Sequence, residues 1–268
     1  MATETDGRRV DGRLAAQLRP FTAEPAALAR ADGSCRFCHG STEVLVAAYG
    51  PCEAKRAREL TDRAVLDVIV RPLSGLPGPL EREAEQLLSQ TLSHLVLTAL
   101  HPRTAISIVV QILAEDGALL AAALHGACIA LAHAGVPMRG LLGACTISLL
   151  PEGTALLDPS AEEERDAAAT VTTAFLLRRR ADGTLDRELL LSHMRGQVQS
   201  SGAIENLQDV AAEAAACADA FMRTALQRTV KPVLAQPERG ARAKRVADLV
   251  AKLRDQAEAG QPQSSHDQ

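Results

Sequence analysis

Two spacings of apolar residues alternate along this chain, and together they predict its elements. In "ALARADGSCRFCHGSTEVLVAAYGP" short period-two runs are separated by turn pairs at Asp32-Gly33 and Gly40-Ser41, which predicts a hairpin or meander. Residues 43–49 and 64–71 read as further strands. Leu80, Ala84, Leu87, Leu88, Leu92, Leu95 and Val96 fall at helical spacing and predict an amphipathic helix over 80–99. "TAISIVVQIL" (104–113) is β-branched and almost wholly apolar, so it predicts a central strand buried on both faces. After Asp116-Gly117, an Ala-rich apolar stretch predicts a helix over 118–134 that stops at Gly135. "LLGACTISLL" and "TALLD" read as a hairpin around Pro151-Glu152-Gly153, and 167–177 and 185–195 as strands flanking Ala181-Asp182-Gly183. A long helix follows over 203–229, with Ile204, Leu207, Ala211, Ala214, Ala218, Phe221 and Leu226 on one stripe. Strand groups interleaved with helices make the fold α/β or α+β. The pattern divides the chain into a domain over 1–230 and a C-terminal tail over 231–268, partly helical or disordered.

Composition narrows the chemistry. The 268 residues carry a formal net charge of -4, so no global basicity announces a nucleic-acid binder, although a local positive groove is compatible with that sum. With no Trp, one Tyr and four Phe, stacking of bases on aromatic platforms is not expected as a main binding mode. The start of the sequence is polar, which predicts no secretory signal, and no long uninterrupted apolar run predicts a membrane span. Cys35-Arg36-Phe37-Cys38-His39 spells C-x-x-C-H, a haem-attachment pattern. On a strand, however, Cys35, Phe37 and His39 point one way while Arg36 and Cys38 point the other, so the two sulfurs cannot converge on one group. His94, His125 and His133 lie on apolar helices without acidic partners in sequence and read as interior or interface residues rather than ligands.

Several runs resemble one family. "RVDGR…QLRPF", "RADGS", "VLVAAYGP", "VRPLSGLPG", the stretch from His101 to Arg139, and "FMRTALQR" are similar to the RNase PH-like subunits of the eukaryotic RNA exosome core, ribosomal-RNA-processing protein 46 type (exosome component 5). The resemblance covers roughly residues 7–228. It implies an α+β (α/β-like) RNase PH fold of the ribosomal protein S5 domain 2-like type, with mixed sheets and packed helices. It further implies a hetero-hexameric ring with other RNase PH-like subunits around an RNA channel, cap subunits with S1/KH domains, and a place in nucleus, nucleolus and cytoplasm.

Active members of this family use phosphate to release nucleoside diphosphates from RNA 3′ ends. Their phosphate loop, D-G-G-T-R, corresponds here to Asp116-Gly117-Ala118-Leu119-Leu120, and a second phosphate-contacting Arg corresponds to Leu80. Their acidic D-L-x-Y-x-E-D run corresponds to Leu156 through Glu162, with Leu156 at the first acid and Glu162 at the second. The resemblance therefore implies a non-catalytic subunit without cofactors. If activity survives, Asp158 and Glu162 are its candidate acids, phosphate and Mg²⁺ its cofactors, and the protein a phosphorolytic exonuclease working as a homo-oligomer. Lys55, Arg56, Arg58 and Arg71, in and beside loops, are the candidate RNA-binding residues, contacting phosphates by charge. Arg178-Arg179-Arg180 reads as the exposed end of a strand, and Arg139 as a structural or subunit-contact residue.

Overall fold

Burial alternates along Phe21–Pro25 and over Cys35–His39, and this fixes which face meets the core. A computed structural model describes residues 9, 11–180, 184–197 and 201–234, with side chains of the last segment described from 207 to 229. β1 (Phe21–Pro25), β2 (Gly33–His39) and β3 (Thr42–Glu53) form an antiparallel meander, turned between β2 and β3 at Gly40. β4 (Val65–Arg71) lies parallel to β5 (Thr104–Ala114), giving a five-stranded sheet in the order β1-β2-β3-β5-β4. Between them runs α1 (Pro79–Leu95), which starts with Pro at its first turn and Glu81 Oε2 accepting from the Gly78 amide at 2.7 Å. The helix ends at Leu95, short of the 99 that its apolar spacing predicts. Val96 instead bridges to Met138, and a single 3₁₀ turn occupies Thr98–Leu100.

A second sheet is wholly antiparallel, in the order β7-β6-β8-β9, from β6 (Leu141–Leu149), β7 (Ala155–Leu157), β8 (Ala169–Arg179) and β9 (Leu185–Gly196). The turn at Ala181-Asp182-Gly183 lies outside the described residues, as does the tail beyond Leu234. α2 (Leu119–Ala134) is sandwiched between the two sheets, touching β2 and β3 on one side and β6 on the other. Every residue from Ala121 to Leu131 is buried, which is why this helix is apolar all round rather than striped. Gly135 ends it in the left-handed region, φ 75°, with its amide on the last carbonyls. A third packing layer comes from α4 (Ser201–Leu234), whose Leu207, Ala211, Ala214 and Ala215 cover Cys145, Ile147, Val171 and Phe175. By internal contacts the chain divides into Met1–Leu226 and Gln227–Gln268.

One strand differs from its predicted environment. β5 buries Ile106, Ile108, Val110 and Ile112 but leaves the alternate face half-open, with Leu113 36% exposed. On that outer face Tyr49 of β3 and Ile69 of β4, 39% and 40% exposed, flank it through their pairing with Ser107 and Val109. Strands buried on both faces are found in the second sheet instead, where α2 and α4 cover β6 and β8 from opposite sides.

Candidate functional site

The start of α2 opens onto a cavity of about 370 Å³, built by segments distant in sequence. Leu119 and Leu120 come from the first turn of α2, Leu80 and Ala84 from α1, and Glu164 from a short helix, α3 (Ala161–Asp166). Thr170 and Thr172 on β8 and His193 and Arg195 on β9 close the far wall. α3 carries no apolar stripe. It exists because Ser160 caps it, its Oγ accepting from the Glu163 amide while Glu163 Oε2 accepts from the Ser160 amide.

Two loops meet at the cavity and are stitched together by polar contacts. The Ala118 amide donates to Glu164 Oε1 at 2.7 Å, and the Ala161 amide to Asp116 Oδ1 at 3.2 Å. Thr42 Oγ1 accepts from the Asp116 amide and donates to the Gly117 carbonyl at 2.7 Å. Ala118 takes a left-handed backbone, φ 50°, at the place where the family's phosphate loop carries its second Gly.

Behind the acidic loop the N-terminal segment supplies three arginines. Arg19 grips Asp158 through two side-chain nitrogens, Nη2 to Oδ1 at 2.7 Å and Nε to Oδ2 at 3.0 Å, and also donates its backbone amide at 2.8 Å. Arg13 Nη1 stands 3.4 Å from the same carboxylate, and His39 Nε2 3.0 Å from it. Arg9 donates to the carbonyls of Leu157 and Asp158 and pairs with Glu163. Burial pushes the Asp158 carboxyl up, but the His39 ring 3.0 Å away and the hydrogen bonds from Arg19 outweigh it and hold the group well below the usual carboxylate range.

The structure places each residue of the acidic run. Leu156 pairs with Ser148 in the β6–β7 hairpin, is buried, and does not line the cavity. Asp158 is fully buried, paired with Arg19, and does not line the cavity. Glu162 is exposed on α3 and does not line the cavity, whereas Glu164 does. With Asp158 at the head of the D-L-x-Y-x-E-D pattern, Glu163 and Glu164 fall on its final pair of acids. The three positions matched to phosphate contacts, Leu80, Leu119 and Leu120, do converge on the cavity. Among the described residues the basic side chains lining it are His193 and Arg195, and both bond Glu83.

The Cys35–His39 pentapeptide lies on β2. Cys35 and His39 are buried toward α2 while Arg36 faces out and Cys38 is half-exposed, and burial pushes the Cys35 thiol up to about 12. The motif thus splits its sulfurs across the sheet and contributes its histidine to the Asp158 anchor. His125 is a core residue whose Nε2 accepts from the Ala144 amide at 2.9 Å, and burial lowers its pKa to about 3. Among the basic candidates, Lys55, Arg56 and Arg71 are exposed and form no ion pair with the described residues, but Arg58 Nη1 is held by Asp67 at 2.8 Å. Arg178, Arg179 and Arg180 pair with Glu188, Asp219 and Asp186 respectively, and Arg139 also reaches Glu188.

Comparison with known proteins places this framework. The 3′ exoribonuclease family, domain 1, matches residues 17–137. The exosome complex exonuclease RRP46 homolog of rice (Oryza sativa subsp. japonica) is 33% identical over 229 residues, covering 82% of this chain and 96% of that protein. The chain belongs to the RNase PH-like exosome family. Its RRP46-type homolog from Arabidopsis thaliana is 36% identical over 167 residues, 62% of this chain and 70% of that protein. The crystal structure of rice Rrp46 superposes with a TM-score of 0.75 at 34% identity, over 82% of this chain and 100% of that one. Within the RNase PH-like fold the cavity of this chain therefore sits at the junction of the family-matched first half and the second sheet.

Proposed function

We propose that this protein is a non-catalytic ring subunit of an RNA exosome, shaping the channel and scaffold for 3′-to-5′ RNA processing and degradation, including rRNA processing. Its neighbours are other RNase PH-like subunits, with S1/KH cap subunits on one rim, in nucleus, nucleolus and cytoplasm. The observation that carries the reading is the wall of Leu80, Leu119 and Leu120 at the α2 N-terminus. A phosphate dianion there needs cationic or hydroxyl donors. Leucines provide none, the first amide is spent on Glu164, and Arg195 is spent on Glu83. The acids of the run survive as Asp158, Glu163 and Glu164, of which Glu164 lines the cavity, but without phosphate it has no nucleophile to assist. The half-open apolar face of the first sheet, with Tyr49, Ile69 and Leu113, supports a subunit contact.

Incubating the pure protein with oligo(A), phosphate and Mg²⁺ tests this. No nucleoside diphosphate should form, while the native protein co-purifies stoichiometrically with RNase PH-like partners. Phosphate-dependent release that disappears in Glu164→Gln would establish the alternative, an autonomous phosphorolytic nuclease.

The exposed cations make a second, separate expectation. Lys55→Glu, Arg56→Glu and Arg71→Glu together should weaken RNA retention by the assembled ring. The salt dependence of log K should flatten by about 0.7 for each RNA phosphate that is no longer neutralised. Replacing Arg58 and Asp67 together by alanine should change retention little, since the two already neutralise each other. Retention measured between low and moderate salt distinguishes these outcomes.

A further inference from the structure

The cavity at the start of α2 has walls that match a different ligand from the family's phosphate. Its volume, about 370 Å³, lies in the range of small-molecule sites, and its interior surface is made largely by leucine, valine and alanine side chains. Three carboxylates line it: Glu81, Glu115 and Glu164. Glu81 uses Oε2 on the Gly78 amide and Glu164 uses Oε1 on the Ala118 amide. Among the described residues no Lys, Arg or His lies within ion-pair distance of any of the three, whereas the buried or half-buried carboxylates of Asp158, Glu163 and Asp219 each have such a partner. Of the basic side chains that line the cavity, Arg195 is paired with Glu83, and His193 Nε2 stands 3.0 Å from the same carboxylate. Leucines stand where side-chain donors to an anion would be, while carboxylates without an ion-pair partner among the described residues stand beside apolar surface.

We propose that this cavity binds an organic cation, a primary ammonium or guanidinium carried on an apolar stem, with Glu164 and Glu115 as its counter-charges. The inference rests on the reading of the site as non-phosphorolytic. The stem packs against Leu80, Leu119 and Leu120, and the charged head replaces the missing partner of the carboxylates, an arrangement that long cationic side chains and polyamines both satisfy. The state of Glu164 agrees with this. Burial, with Glu115 adding to it, raises its carboxyl above the usual range, against the opposing pull of the Ala118 amide, Arg19 and Arg195. A cation seated beside it would relieve that penalty. The same chemistry can come from a free polyamine or from the lysine or arginine of a protein partner.

Isothermal titration of the full chain separates these sources with three probes: spermidine, acetyl-arginine amide and inorganic phosphate. Saturable binding of spermidine in preference to the arginine derivative identifies a polyamine site, and the opposite preference a partner's side chain. Either should weaken with added salt and fall roughly tenfold in Glu164→Gln, the effect of removing one charge-assisted contact. Glu115→Gln, at an exposed position that leaves the fold undisturbed, should weaken it as well, and Glu162→Gln, off the cavity, should not. Absence of binding by either cation, or binding insensitive to both Glu164→Gln and Glu115→Gln, overturns the inference and leaves the non-catalytic reading intact. Saturable phosphate binding abolished in Leu120→Glu would overturn the reading on which it rests.

Discussion

Asp158→Ala is expected to lower the unfolding free energy by about 3–5 kcal/mol, read from urea denaturation at pH 7. The reason is what it leaves behind rather than what it removes. Arg19 is 7% exposed, Arg13 is nearly as enclosed, and His39 is buried; all three face this one carboxylate. Without it the guanidinium of Arg19 retains only backbone carbonyls and the more exposed Asp116 as partners. Should the alanine variant fail to fold, Arg19→Lys gives a graded measure, since an ammonium cannot reproduce the two-pronged grip. The same cluster sets the acid sensitivity. Because the folded chain holds Asp158 below its ordinary pKa, its stabilisation is complete above about pH 4 and disappears as pH falls toward the folded value. His125 acts earlier. Pushed by burial to about 3, it stays neutral in the folded chain while the unfolded chain takes up a proton near pH 6.5. Stability should therefore begin to fall below about pH 6.5 and fall more steeply below about pH 4. In Asp158→Asn the steeper limb should be reduced, and a profile unchanged by that substitution would rule out this account.

Periodicity alone locates most elements because burial in this fold follows simple rules. α2 is apolar on every side in sequence, and the structure supplies the cause: a sheet on each face. The alternation of Cys35, Phe37 and His39 with Arg36 and Cys38 on β2 is likewise legible in the sequence and removes the haem reading. β5 escapes such reasoning, since an apolar strand looks the same whether its second face meets a helix or lies half-open, as it does here beside Tyr49 and Ile69. α3 is invisible because six residues without an apolar stripe carry no period, and only the Ser160–Glu163 spacing hints at a capped turn.

The site is half legible for a related reason. Ungapped matching brings Leu80, Leu119 and Leu120 to one place because the elements bearing them are long and unbroken. In "LLDPSAEEER" four carboxylates crowd seven positions, so charge pattern cannot choose the register. The choice is made by long-range pairing: Arg19, Arg13 and His39 bury Asp158, and that turns Glu164 toward the cavity while Glu162 faces solvent. Three arginines in a short N-terminal stretch are a usable signal, since an arginine that becomes buried must find a carboxylate. Nothing in the local sequence says which one.

The second large effect is expected at Gly33→Ala, which should cost about 3 kcal/mol or more, measured as the shift of the urea midpoint. Gly33 opens β2 where that strand presses on the last turn of α2. A Cβ there would fall 2.6 Å from both the amide nitrogen and the Cβ of Ala134, and closer still to the Ala130 carbonyl. Neither side can yield easily: β2 is paired on both edges, and α2 is fixed between two sheets. Ala134→Gly in the same chain should rescue only part of the deficit, because it removes the neighbouring Cβ and leaves the backbone atoms of Ala130 and Ala134 in place. Gly135→Ala provides the contrast. Nothing lies within 4 Å of the added carbon there, so only its positive φ opposes the change and about 1 kcal/mol is expected. Two glycines at the same end of one helix should thus differ severalfold in cost, one through the space the strand leaves and the other through backbone conformation alone. Equal effects at the two positions would mean that β2 and α2 are not in close contact at Gly33.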